Sequence, residues 1–152
     1  MSTTRPPELL FVYGTLRRAG GHPAHAMVGG QASYLCTTRA PGALYDLGPY
    51  PGMAPAPAGE TTVGEVYRLP AVGAADLLAR LDEYEGVRST EVDRCVYERR
   101  AIELPVEGRP RRAWTYVLRA VPPGARPIAS GDWLDRDAGA VARDSGGEYR
   151  TP

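Results

Sequence analysis

The sequence predicts an α+β domain with a largely antiparallel or mixed sheet, and three observations carry that expectation. About six extended runs stand against one convincing helix. Two of those runs, 96–106 and 111–118, flank Glu107-Gly108-Arg109-Pro110, a hairpin signal. Ahead of them, AADLLARLDEYEG over 74–86 repeats its apolar residues at helical spacing. A chain of 152 residues is one domain with room for a proper core. Residues 9–134 form that domain, 1–8 are a loose leader, and 135–152, rich in Gly, Asp, Arg and Ser, read as a mobile tail.

Taken in order, the continuous apolar run Leu9-Leu10-Phe11-Val12-Tyr13 stops at Gly14 and reads as a buried strand. A Gly-rich turn at 19–21 leads into a short helical segment, 22–28, which Gly29-Gly30 ends. Residues 31–40 run extended, Pro41-Gly42 turns the chain, and 43–45 form a short strand. LGPYPG at 47–52 reads as a rigid loop, and proline is dense from 49 to 57, so no regular structure is expected there. TTVGEVYRL at 61–69 alternates Val63, Glu65 and Tyr67 with Gly64, Val66 and Arg68, the pattern of a strand. A polar connection over 87–94 joins the helix to the hairpin, and few periodic apolar positions follow Pro122. A closed barrel would remove the edges of such a sheet.

The helix carries the most informative detail. At about 100° per residue, Leu77, Leu78, Leu81 and Tyr84 share one apolar arc. Asp82 sits at its edge and Glu83 points to solvent. Glu85 falls between Leu81 and Leu78, the one carboxylate of the three that the period turns inward. Desolvation disfavours an anion there, as does the negative helix end beside Gly86, a C-cap candidate. A glutamate tuned toward neutrality in this way suits proton transfer. If the helix stops one residue earlier, Glu85 is instead a solvated C-terminal residue.

Composition narrows the function. The formal net charge is zero, which gives no electrostatic reason to expect nucleic acid or an anionic membrane surface as partner. All 18 basic residues are arginine, excluding Schiff-base chemistry through a lysine of this chain. Cys36 and Cys95 belong to no metal-spaced cluster and read as free thiols in a reducing compartment. The apolar run at 9–13 is too short for a signal-peptide core or a membrane span, so a soluble, cytoplasmic protein is expected.

Chemistry has few places to sit. Gly14 lets a ligand approach the backbone, and the N–H groups from Gly14 to Leu16 can cradle a carboxylate or a developing oxyanion. A plain turn has the same pattern. His22 and His25 are separated by Pro23 and Ala24 with no third ligand nearby, so neither a metal site nor a Ser–His or Cys–His pair is expected, and no cofactor. Tyr97 and Tyr116 fall on the two hairpin strands as half-buried packing residues, either of which could line a pocket.

Together these fragments resemble the γ-glutamylcyclotransferase-like superfamily, most closely its small branch of γ-glutamylamine cyclotransferases and the butirosin-pathway deacylase. The matching stretches are YGTLR at 13–17, PYPG at 49–52, VGEVYRL at 63–69, LDEYEG at 81–86, YERR at 97–100, WTYV at 114–117 and GDW at 131–133, in that order. The resemblance implies a small mixed, mostly antiparallel β-barrel flanked by helices, with the YGTL loop and Glu85 facing one cavity. By motif match, Tyr13, Gly14, Thr15 and Leu16 correspond to the substrate-holding loop and Glu85 to the acid/base. The implied reaction is cyclisation of a small-molecule γ-glutamyl amine or amide. The substrate's own α-amine attacks its γ-carbonyl, releasing 5-oxoproline and an amine without a metal or a nucleophilic side chain. The leaving amine and the oligomeric state stay open. Two other readings stand beside this one: a non-catalytic small-molecule-binding module on the same scaffold, and an interaction protein docking through 49–57 and the Arg-rich hairpin.

Overall fold

The computed structural model describes residues 5–55, 59–87 and 96–136. Residues 1–4 of the leader, the polar connection beyond Val87, Cys95 and the tail beyond Arg136 lie outside the described residues. The strands are β1 (Leu9–Val12), β2 (Ser33–Pro41), β3 (Ala43–Asp46), β4 (Pro51–Ala54), β5 (Thr61–Arg68), β6 (Tyr97–Val106), β7 (Arg109–Leu118) and β8 (Arg126–Pro127). They form one mixed, mostly antiparallel sheet accompanied by two helices, α1 (Ala26–Gly29) and α2 (Ala74–Glu85). Among the described residues no helix is long and apolar enough to cross a membrane.

Strand β1 is buried on both faces, which is why its sequence is an unbroken apolar run. Leu9 and Phe11, with Tyr13 just beyond, pack into one core with Met53, Leu104, Val117 and Trp133. Leu10 and Val12 pack into a second core completed by Leu77 and Leu81 of α2. The two cores therefore lie on opposite sides of the same strand.

Strand β7 organises the rest. It pairs antiparallel with β6 along its whole length, from Val106↔Arg109 to Tyr97↔Leu118. It also pairs parallel with β1 at Leu10↔Trp114 and parallel with β4 at Met53↔Val117. The sheet thus forks where β1 stops and β4 begins. Tyr13 spans the fork: its hydroxyl donates to Tyr116 O at 2.6 Å and accepts from Met53 N at 3.0 Å. Tyr13→Phe strands that carbonyl and that N–H in the interior and should cost about 1–3 kcal/mol, read by urea denaturation.

Two expectations need correction. The implied barrel does not close: the sheet runs β2-β5-β1-β7-β4-β3-β8, with β6 attached to β7. Across the remaining gap Thr38 Oγ1 donates to Pro105 O at 2.9 Å, a side-chain contact at a residue with no N–H to extend a ladder. The proline-dense stretch, expected to lack regular structure, holds β4. Pro51 is tolerated because it is the first strand residue, and the antiparallel register with β3 runs from Asp46↔Pro51 to Ala43↔Ala54.

The helix and hairpin end as their sequences demand. Gly86 adopts φ 78°, Gly86 N donates to Glu83 O at 3.1 Å and Val87 N to Asp82 O at 2.8 Å. This is a Schellman closure, and it keeps Glu85 within the helix. Glu107 and Gly108 both have positive φ, 53° and 84°, as a two-residue type I′ turn requires. In β5, a Cβ on Gly64 would lie 2.5 Å from both Phe11 Cζ and Val12 O. Gly64→Ala is therefore expected to destabilise by about 2–3 kcal/mol, seen as a lower urea midpoint with unchanged m-value.

Candidate active site

The fork in the sheet opens a cavity of about 420 Å³. The end of β1 and its loop, Tyr13 to Leu16, form one wall. Pro49, Tyr50 and Pro51 form the second, the end of α2 (Tyr84, Glu85, Gly86) the third, and Tyr97 and Tyr116 of the hairpin the floor. All seven residues singled out from the sequence, Glu85, Tyr13, Gly14, Thr15, Leu16, Tyr97 and Tyr116, line this one space.

Gly14 is a glycine for a steric reason: a Cβ there would stand 2.8 Å from Pro51 Cγ. The loop turns back at once, with Arg17 N donating to Gly14 O at 3.0 Å. Among the described residues, the backbone N–H groups of Gly14, Thr15 and Leu16 reach no protein acceptor. All three residues line the cavity. Thr15 Oγ1 and the Tyr84 hydroxyl are 2.8 Å apart, tying the loop to the end of α2.

Glu85 is half-buried, and among the described residues no hydrogen-bond donor meets its carboxylate. Burial pushes its pKa up to about 7. The tyrosines around it are neutral: burial raises Tyr13, Tyr97 and Tyr116, and the negative charge of Glu85 adds to the shift of each. Their hydroxyl protons are committed to the protein. Tyr97 donates to Pro51 O at 2.5 Å and Tyr116 to Asp82 Oδ1 at 2.6 Å. Asp82, placed at the rim of the apolar arc by its spacing, is buried because Arg99 also reaches it, Nε to Oδ1 at 2.8 Å and Nη2 to Oδ2 at 3.2 Å.

Sequence reasoning missed the network beneath the loop. Glu65 is 1% exposed, and its carboxylate accepts from Arg18 N at 2.8 Å, Ala19 N at 3.2 Å and the Tyr67 hydroxyl at 2.8 Å. Arg17, also buried, places Nε 3.4 Å from Glu65 Oε2 and Nη1 2.9 Å from Asp132 Oδ1. Burial alone would raise the Glu65 pKa, but the bonds from Tyr67, Arg18 and Ala19 and the Arg17 charge outweigh it and hold it below the usual carboxylate range. One signal was available: a glutamate alternating with Val63 and Tyr67 on a strand face. His22 lies at the cavity edge with Nδ1 accepting Ala24 N at 3.0 Å, and His25 Nδ1 is 2.9 Å from Leu16 O. Among the described residues no three His, Cys, Asp or Glu side chains converge as a metal site.

A helix-terminal glutamate and a glycine-opened strand end thus share one cavity of a mixed sheet. Residues 10–135 match the family described as gamma-glutamyl cyclotransferase, AIG2-like, and the chain belongs to that family. It is 37% identical over 131 residues to the gamma-glutamylcyclotransferase family protein YtfP of Escherichia coli, covering 84% of this chain and 97% of that protein. It is 35% identical over 133 residues to a putative gamma-glutamylcyclotransferase of Vibrio cholerae, covering 85% and 97%. The solution structure of the Escherichia coli ytfP protein superposes with a TM-score of 0.54 at 36% identity, covering 85% and 98%. An AIG2-like protein of Mus musculus superposes with a TM-score of 0.59 at 23% identity over 78% and 82%, a likeness of fold alone.

Proposed function

We propose that this chain is a γ-glutamyl cyclotransferase acting on a γ-glutamyl amine or amide. The observation that carries the reading is the Glu85 carboxyl, pushed up to about 7 in a cavity shared with Gly14 to Leu16 and their backbone N–H groups. A substrate α-carboxylate or the developing oxyanion would rest on those donors. The α-ammonium would sit against Glu85. Glu85 takes a proton from it, and the freed amine attacks the γ-carbonyl in the same molecule, so positioning replaces a nucleophilic side chain. The new C–N bond closes the five-membered lactam. Collapse breaks the old C–N bond as Glu85 returns a proton to the departing nitrogen. Overall the attacking nitrogen gives up two protons and the leaving nitrogen gains two, yielding 5-oxoproline and an alkylammonium. A small-molecule substrate fits a neutral chain, and the free thiol of Cys36 accords with a cytoplasmic setting.

Incubation with a panel of γ-glutamyl amines, scored by mass for 5-oxoproline, tests the reading. Release from at least one member is expected. Saturable ligand binding with no product from any member would instead make the protein a non-catalytic binding module.

A further inference from the structure

A second cavity, of about 430 Å³, adjoins the first. Tyr50 and Val96 line both. Each is about two-fifths exposed, at 41% and 40%, and the Tyr50 ring stands 6.2 Å from that of Tyr97 on the floor of the first cavity. Tyr50 and Val96 therefore form the border between the two spaces. The second cavity differs in chemistry, since both signs of charge face it: Asp46 and Arg126 line it and stand directly opposite each other across β3 and β8. They form no ion pair with each other. Asp46 turns back on its own loop, Oδ1 accepting Gly48 N at 2.8 Å, while Arg126 has no ion-pair partner among the described residues. Pro122 and Pro123 supply a stiff opposite wall.

We propose that this second cavity is the leaving-group subsite of the reaction, and that Arg126 selects leaving amines ending in a carboxylate. The proposal rests on the cyclotransferase reading for its substrate. With the glutamyl part held between Glu85 and the Gly14 loop, whatever is attached to the γ-nitrogen is placed by this proposal across the border that Tyr50 and Val96 share. A guanidinium without an ion-pair partner there offers a fork of donors matched to a carboxylate. Asp46, held by Gly48, sets the turn that frames the cavity.

Three matched γ-glutamyl amides test this, made from pentylamine, 5-aminopentanoate and 1,5-diaminopentane. The 5-aminopentanoate amide is expected to exceed the pentylamine amide in kcat/KM by about tenfold or more, the scale of one charged hydrogen bond. Arg126→Gln should bring that ratio to about one, mainly through KM, while Arg109→Gln, at the start of β7, keeps the wild-type ratio. An Arg126→Gln ratio equal to the wild type's, or a preference for the diamine amide, overturns the assignment. Free 5-aminopentanoate titrated into 15N-labelled protein provides a readout that needs no turnover. Saturable shifts at the amides of Tyr50, Val96 and Ala125, absent with pentylamine, support the subsite, and their absence overturns it. Such shifts without any 5-oxoproline from the amides would count against the cyclotransferase reading while leaving the carboxylate site standing.

Discussion

Replacing Glu85 by Gln is expected to lower kcat on a γ-glutamyl amine by about 100-fold or more, the usual scale for losing a positioned proton carrier. The same change should make the protein more stable at pH 8. Burial raises the Glu85 pKa from the ordinary 4.5 to about 7, so folding favours its protonated form. That contribution is complete below about pH 4.5 and is lost as pH climbs through about 7. Its ceiling is on the order of 3 kcal/mol, reduced by the solvent that enters an open pocket. Glutamine stays neutral throughout, so the variant's Tm should exceed the wild type's at pH 8 and converge with it near pH 4. Wild-type kcat/KM should move the opposite way, rising about tenfold per pH unit below about 7 and levelling above it. Calorimetry of both proteins beside a pH–rate profile measures the two trends. A variant less stable than wild type at pH 8, or a flat profile between about pH 5.5 and 8, would contradict a buried, titrating base.

The second large effect is expected beneath the loop rather than in the cavity. Glu65→Ala removes the acceptor of four donors and leaves the Arg17 guanidinium buried with only Asp132, which is 26% exposed at the side chain. Breaking such a pair from one side costs about 3–5 kcal/mol, a large share of the stability of a domain this size. The double variant Arg17→Met, Glu65→Leu removes both charges and should recover part of that loss. It should not recover substrate holding, because Arg18 N and Ala19 N still lack the carboxylate that fixes the loop carrying Gly14 and Thr15. A raised KM in a stably folded double variant is the expected signature. Wild-type kinetics there would mean the loop holds its shape without Glu65.

What the sequence disclosed, and what it hid, follows from where each feature gets its order. β1, β5 and the β6–β7 hairpin were legible because continuous burial, alternation and a Glu-Gly turn are written into consecutive residues. The inward turn of Glu85 was legible because α2 runs to Gly86 as its cap predicts. β4 and β8 were not: four residues that start with proline, and two that end with it, become strands through partners distant in sequence or brought by the fold, β3 for both and β7 for β4. Tyr84 shared the apolar arc yet is 42% exposed, since the arc outruns the sheet there and meets Thr15 instead. Asp82 went the other way, drawn into the interior by Arg99 and Tyr116, which lie on the distant hairpin. The open sheet, in place of the barrel the family resemblance implied, depends on β7 having three neighbours, and no local pattern records that.

The fork bridged by Tyr13 also sets an order of events during synthesis. A nascent chain that has emerged as far as α2 already holds the Gly14 loop and Glu85, but Tyr116 O, the acceptor for the Tyr13 proton, has yet to be made. Tyr97, the partner of the Pro51 carbonyl, is missing as well. The cavity can therefore assemble only when the last long hairpin docks, a closure between residues more than a hundred positions apart in sequence. Chains released before β6 should lack a formed cavity for that reason alone, with Tyr13 to Leu16 and Glu85 present and none of the floor.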